Sequence, residues 1–344
     1  MINEKILTQI VSLGEIFEQL AQENPENGHQ HAKYIEQLQA ASIQAKIKNA
    51  WFTPKEIKRS FKSWARALNE TKLREFCQNI QAKPSKKVAL ICAGNIPMVG
   101  FHDLLSILLC GHHAYLKPSS DDTPLMTTLA TILADLVPAW KEKITIVERV
   151  KSTEVDALIA TGSDNTARYF EYYFKALPKI IRKNRTSLAI LTEETTDDDL
   201  KALAEDIFAY YGLGCRNVSK LFVPVGFDVQ RLFAIMPDYA YLDEHHKYMN
   251  NYTYNKALYL LNQEKFLENG FFLLLENDRM HSPISALFYE EYSDRSAVDK
   301  RLEEMADSIQ CIVDGKQIAF GQAQQPSLLD FADNIDTREF LATI

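Results

Sequence analysis

The chain offers no cysteine pair that reads as a staple. Its five cysteines, Cys77, Cys92, Cys110, Cys215 and Cys311, lie far apart and form no CxxC, which excludes a disulfide framework and a zinc ribbon and leaves free thiols in a reducing compartment. Excess positive charge is missing too. A formal net charge of −8, a pI near 5.6 and no long block of like charge do not suit nucleic acid. Asp197 to Asp199, the densest acidic run, reads as a helix cap and not a tail. No run of about 20 apolar residues is present to span a membrane. The opening stretch MINEKILTQIVSLGEIF lacks the basic start, continuous apolar core and cleavage site of a signal peptide, so the expected location is cytoplasmic. GxGxxG and Walker motifs, internal repeats and low-complexity segments are also absent.

What the chain has is apolar bulk. Its 344 residues, 46% of them hydrophobic, can build two sizeable cores at about 150 residues per domain. Residues 1 to 80 read as helical: Ile2, Ile6, Ile10, Leu13, Ile16, Phe17 and Leu20 recur at spacings of three or four. A second helix is expected over about Ala32 to Ala50. A third starts at WFTPKE, where Thr53 caps, Pro54 suits the first turn and Glu56 completes a capping box. This part reads as packing without evident chemistry.

From Lys87 short apolar runs alternate with helical patterns: KVALICA, HAYLKPS, KITIVERV, VDALIATGS and TSLAIL. Such alternation predicts a parallel sheet covered on both faces, with ligands beyond the carboxyl ends of its strands at AGNIP, KPSS and TGSDN. A second α/β segment runs through KLFVPV, FFLLLEND, ISALFYEEY and IQCIVDG. The boundary falls near Gly212 to Cys215, and the ending FGQAQQPSLLDFADNIDTREFLATI reads as an arm or irregular tail.

Several residues have both a plain and a chemical reading. Cys215, behind Gly212 and Gly214 and ahead of Arg216, is a thiol in a permissive backbone beside a cation, which favours thiolate if the arginine turns inward. The other four cysteines read as core. Asn95 in GNIP caps a helix beginning near Pro97, or aims its amide at a developing oxyanion. Lys117 at a strand end is either solvated or beside a nucleotide. Gly162 and Ser163, between strand and helix, suit phosphate binding by backbone N–H groups. His112/His113 and His245/His246 invite a metal. Adjacent residues of a strand point to opposite faces, so solvated or packed histidines are the preferred reading. YFEYYF fits helix packing better than base stacking.

Taken in order, GNIP, YLKPSSDDTP, ATGS, SLAILTEETTDDDL and YGLGC with KLFVPV resemble the aldehyde dehydrogenase superfamily over roughly residues 87 to 225. More closely the chain resembles the LuxC-type acyl-CoA reductases, and its ending is similar to that of their bacterial members. The resemblance implies an aldehyde dehydrogenase-like α/β fold in four parts. These are an N-terminal helical region (1–85), a cofactor-binding domain (86–211), a catalytic domain (212–322) and a C-terminal arm (323–344).

It further implies that Cys215 is the nucleophile and that Asn95, with the Cys215 backbone N–H, forms the oxyanion hole. Lys117, Ser119 and Ser120 would lie at the adenosine ribose of a nicotinamide cofactor, and Gly162 and Ser163 near its pyrophosphate or nicotinamide. Ser120 stands where many NAD-using relatives have Glu, which favours NADP over NAD. Three departures bear on chemistry. The superfamily's general-base Glu would fall near Arg182 and its second Glu close to Arg279, and the later glycine of GSxxxG is Ala167. Loss of the water-activating carboxylate favours reduction of an acyl thioester to an aldehyde over oxidation of an aldehyde to an acid. The alternatives are a CoA-acylating aldehyde dehydrogenase and a catalytically silent subunit. Acyl-CoA or an acyl-protein thioester is the expected substrate and an acyl-activating synthetase a partner. An exposed C-terminal arm would suit a homodimer.

Overall fold

The computed structural model describes residues 3–22, 30–78, 80 and 83–344, so Ile2 of the first predicted helix lies outside them. Asn3 accepts the Lys5 N–H at 2.9 Å and opens α1 (Glu4–Ala21), whose Leu7, Ile10, Leu13, Ile16, Phe17 and Leu20 are buried. α2 (Ala32–Lys48) follows, and then α3 (Pro54–Ala67), where Thr53 accepts the Glu56 N–H as its spacing predicts. After α4 (Glu70–Cys77) come β1 (Lys87–Ile91), α5 (Phe101–Leu109), β2 (His113–Lys117), α6 (Thr123–Leu136) and β3 (Ile144–Ile146). β4 (Ala157–Thr161), α7 (Asp164–Tyr173) and β5 (Lys179–Arg182) complete this part.

The five strands form an all-parallel sheet in the order β3-β2-β1-β4-β5. Burial on both faces explains why β1 and β4 read as continuous apolar runs. The N-terminal helices share a core with this sheet. Phe17 stacks on Phe61 at 5.4 Å and meets Phe101 of α5 edge-on at 6.0 Å.

The second part holds β6 (Thr186–Ile190), α8 (Asp197–Phe208), β7 (Val218–Pro224), α9 (Arg231–Ala234), α10 (His246–Leu261), β8 (Leu267–Glu268) and β9 (Leu273–Glu276). β10 (Ala286–Tyr292), α11 (Arg295–Glu304) and β11 (Ile309–Val313) close it. Its sheet runs β11-β6-β7-β10-β9-β8, parallel except for the β8–β9 pair.

The chain packs as two units, residues 1–184 with 326–344 and residues 185–325. The expected boundaries shift accordingly. No division falls at residue 85, because the helices and the first sheet bury one core. β6 and α8, assigned from sequence to the cofactor domain, join the second sheet because β6 pairs with β7 and β11. Cys215 therefore lies inside the second unit and not at a junction.

The C-terminal stretch is not an exposed arm over 326–344. It ends in α12 (Thr337–Thr343), and Leu328, Phe331, Thr337 and Leu341 are buried in the first unit. His102 bonds the Leu328 carbonyl (2.9 Å), His112 the Leu341 carbonyl (3.1 Å), and Arg338 donates to the Phe76 carbonyl (2.7 Å). Packing of this stretch leaves no exposed arm over 326–344 that would suit a dimer. YFEYYF forms the end and cap of α7: Phe170 and Phe174 pack in a core cluster as expected, while Tyr169, Tyr172 and Tyr173 face solvent. Among the described residues no helix is long and apolar enough to cross a membrane.

Arg182, the last residue of β5, stitches these pieces. It is 4% exposed and pairs with Asp103 of α5, 3% exposed, at 2.5 Å, and donates to Thr337 Oγ1 at 2.9 Å. Arg182→Met would leave the Asp103 carboxylate buried without its counter-charge, a loss of about 3–5 kcal/mol, whereas Arg182→Met with Asp103→Leu should recover most of it. Trp51, Trp64 and Trp140 all lie in the first unit, so tryptophan fluorescence in a urea titration reads this loss directly. Equal midpoints for wild type and the single variant would show that the pair holds nothing.

Candidate active site

Parallel pairing makes the chain leave β1, β2 and β4 at one edge of the first sheet, and the strand order reverses between β1 and β4. The crevice at such a reversal is where doubly wound sheets take ligands. The loops there are 92–100, 118–122 and 162–163, and they carry Asn95, Ser119, Ser120, Gly162 and Ser163, with Lys117 ending β2. All six residues predicted in this half thus share one sheet edge.

Asn95 is exposed in the turn after β1. It is not the cap of the next helix, which starts at Phe101 behind Gly100 and not near Pro97. Gly94 is required by proximity: a Cβ there would sit 2.4 Å from Ser119 Oγ. Lys117 is half-buried, and its ammonium makes no hydrogen bond or ion pair with the described residues, although its carbonyl accepts the Cys92 N–H at 3.1 Å. Ser119 accepts the Asp121 N–H at 3.3 Å, and Ser120 faces solvent. Ser163 caps α7, accepting the Thr166 N–H at 3.4 Å, and Ala167 is buried one turn on. The α7 amides therefore open toward the same edge as Gly162, with the positive end of the helix dipole behind them.

Cys215 stands in the second unit just before β7, and it alone of the five cysteines is exposed. Burial pushes the Cys77 thiol up to about 11 and the Cys110 thiol up to about 12, and raises Cys92 further. Those three are poor nucleophiles at neutral pH, because the thiolate is the reactive form.

The backbone leading to Cys215 is bent against its preferences. Tyr210 (φ 51°), Tyr211 (φ 58°) and Gly212 (φ 78°) are all left-handed, a region bulky side chains rarely adopt. A buried amide holds the bend. Asn217 Nδ2 donates to the carbonyls of Asp206 (3.1 Å), Ile207 (3.2 Å) and Ala209 (2.8 Å), and its Oδ1 accepts the Gly214 N–H at 2.7 Å. Ser187 donates to the Cys215 carbonyl at 2.8 Å. Arg216 turns to the scaffold, its Nε donating to the Ala323 carbonyl at 2.5 Å. Asp206, wholly buried, accepts the Gly321 and Ala323 N–H groups at 2.6 and 2.9 Å. Burial outweighs those bonds and Arg216, and lifts its carboxyl from 3.8 to about 6.

Asn217, Ser187 and Asp206 were missed in the sequence, where each is an ordinary polar residue beside an apolar run. Arg182 fills the place implied for the general base, held in its buried pair. Arg279, implied for the second Glu, is exposed and bonds Asn277 Oδ1 at 2.9 and 3.2 Å.

Three of the four paired histidines are bonded within the fold, and His246 is exposed. His112 accepts the Lys86 N–H at 3.1 Å, His113 bonds Thr145 Oγ1 at 2.9 Å, and His245 caps α10. Among the described residues no group of three His, Cys, Asp or Glu could hold a metal ion.

The sequence model of the family described as acyl-CoA reductase (LuxC) matches residues 2–231. No curated protein matches the chain. Solved structures do. HpcC from Thermus thermophilus is 12% identical, with 92% of this chain and 79% of that one covered at a TM-score of 0.61. Glyceraldehyde-3-phosphate dehydrogenase GapN from Methanocaldococcus jannaschii, complexed with NADP, is 13% identical, with 90% and 81% covered at 0.60. An NAD-dependent aldehyde dehydrogenase from Sinorhizobium meliloti is 12% identical, with 92% and 73% covered at 0.58. At these identities the likeness is one of fold, which is aldehyde dehydrogenase-like.

Two measurements check the electrostatics. Iodoacetamide at neutral pH should label Cys215 in the native protein and spare Cys77, Cys92 and Cys110 until denaturant is added, as read by peptide mass spectrometry. A raised carboxyl pKa stabilises the fold below the unfolded value, and that stability is lost as pH climbs through the folded one. Asp206 therefore costs the second unit about 3 kcal/mol at most between pH 3.8 and about 6. The amide shifts of Gly321 and Ala323 should titrate with a midpoint near 6, and a midpoint near 4 would contradict the burial effect.

Proposed function

The chain belongs to the LuxC acyl-CoA reductase family, and from that premise we propose that it reduces an acyl thioester to the aldehyde through a covalent acyl group on Cys215. The observation that carries this reading is the exposed Cys215 thiol, set on a backbone locked by Asn217, in a chain with no carboxylate at the position of the general base. Exposure lets the thiol meet a bulky thioester. The locked bend fixes the direction of attack at no entropic cost during reaction.

The Cys215 thiolate attacks the thioester carbonyl, and the Asn95 amide and Cys215 backbone N–H carry the oxyanion of the tetrahedral adduct. Its collapse breaks the bond to the CoA sulfur, which leaves as thiolate, and an acyl-cysteine remains. A reduced nicotinamide dinucleotide, when bound, supplies the hydride for the next step. The thiohemiacetal oxygen on Cys215 is held by the same two donors until the C–S bond breaks, releasing aldehyde and the thiolate. Arg182 cannot deprotonate water, so the acyl-cysteine is spared the hydrolysis that would yield an acid.

The first sheet's edge fits such a dinucleotide. Lys117 offers an unengaged ammonium to ribose hydroxyls, and the α7 amides after Gly162 and Ser163 suit a pyrophosphate. Ser119 and Ser120 would border the adenosine ribose. Ser120 withholds a carboxylate from a 2′-phosphate, which favours NADPH, while exposed Asp121 one residue on opposes it.

The test is consumption of NADPH and of NADH with acyl-CoAs of graded chain length. Thioester-dependent turnover with a higher kcat/KM for NADPH is expected, lost to background in Cys215→Ala. Turnover surviving in Cys215→Ala would refute the covalent route, and no turnover with any thioester would favour a silent subunit.

A further inference from the structure

The turn that carries Asn95 has no regular structure of its own, so its backbone groups must find partners elsewhere. Three side chains supply them. Ser60 of α3, 4% exposed, donates its hydroxyl to the Pro97 carbonyl at 3.0 Å. Asp122, wholly buried, accepts the Met98 N–H on Oδ2 at 2.7 Å. Asn49, which ends α2, donates to the Gly94 carbonyl at 3.5 Å, the longest of the three, while its Oδ1 accepts the Trp51 N–H at 3.1 Å. These anchors bracket Asn95 on both sides.

The bracket is under constraint. Met98 has φ +58°, a left-handed conformation in a residue without glycine's freedom, and such strain persists only where the surroundings over-determine it. Gly94 is pressed against Ser119, as the missing Cβ shows. The other Asp122 oxygen has no hydrogen-bond partner among the described residues, and burial raises its carboxyl well above the ordinary range. The geometry asks of Asp122 only that Oδ2 accept the Met98 N–H, a role that an Asn side chain can also fill.

Building on the assignment of Asn95 to the oxyanion, we propose that Ser60 and Asp122, with Asn49 as the weaker third, are positioning residues that hold the Asn95 amide at the reacting carbonyl. The N-terminal helices then have a part in the chemistry: α2 and α3 are the fixed jaw of the oxyanion hole. The loop of Ser119 to Asp122 joins the two tasks, since one end borders the proposed ribose site and the other grips the Asn95 turn.

The experiment measures single-turnover acylation of the full chain by CoA release, using the best acyl-CoA of the graded series. Losing a direct oxyanion donor in Asn95→Ala should cost about 10²- to 10³-fold, and slipping the turn in Ser60→Ala or Asp122→Ala about 10-fold. In Ser60→Ala the KM for the reduced nicotinamide and the rate of Cys215 alkylation should stay unchanged. Ser60→Thr and Asp122→Asn keep the hydroxyl and the acceptor and should restore acylation. A role confined to stability would not give this split. In an Asn95→Ala background, Ser60→Ala should add less than about 2-fold, because a positioner has nothing left to position. Full additivity there, or wild-type acylation in both Ser60→Ala and Asp122→Ala, overturns the proposal while leaving the Asn95 assignment standing. Unchanged acylation in Asn95→Ala overturns both. Should Asp122→Ala fail to fold, Ser60→Ala and Asn49→Ala carry the test, the latter with a smaller effect of the same pattern.

Discussion

Parallel pairing of β1 with both β2 and β4 is the constraint on which the first unit depends. Parallel strands can be linked only by long crossovers, so each strand must discharge its chain at the same edge. That rule delivers the turn of Asn95, the end of β2 at Lys117 and the start of α7 to one edge. The helices are spent on the faces, and the edge is left to loops, whose backbone groups need outside partners.

In the second unit one buried amide does what a whole edge does in the first. The bend at Tyr210 and Tyr211 ends α8 abruptly and orphans its last carbonyls, and Asn217 meets three of them while clasping Gly214. The strain of two left-handed tyrosines is thereby tied to the position of the next thiol. Arg182 shows the opposite exchange. A position that the resemblance gives to catalysis has become part of the scaffold, its charge absorbed by Asp103.

Much of this was legible from one-dimensional pattern. Short apolar runs bounded by turn residues marked β1, β2, β4, β6, β7 and β10, most plainly in β1 and β4, where burial on both faces leaves no alternative composition. β5 was missed: Lys179–Arg182 is four residues long and ends in a charge whose partner lies 79 positions away. α10 was missed because its Tyr and Asn residues carry little helical periodicity. Lys117, the five loop residues at the same edge and Cys215 could be named because their order along the chain is distinctive. Ser60, Asp122, Asn217 and Ser187 could not, since a side chain that bonds the backbone of a distant turn leaves no periodic trace. The tail read as an arm for a similar reason. Leu328, Phe331 and Leu341 are spaced irregularly, and only the groove that receives them reveals them as core.

That tail has a consequence for how the molecule is made. Residues 185–325 are continuous in sequence and can close their core as they leave the ribosome, whereas the first unit, though translated earlier, lacks Leu328, Phe331 and Leu341 until the second unit has been made. Its β5 terminus emerges with Arg182 and Asp103 in place but without Thr337. The first unit can complete its core only once residues 326–344 have been made, so the order in which domains close need not follow the order of synthesis.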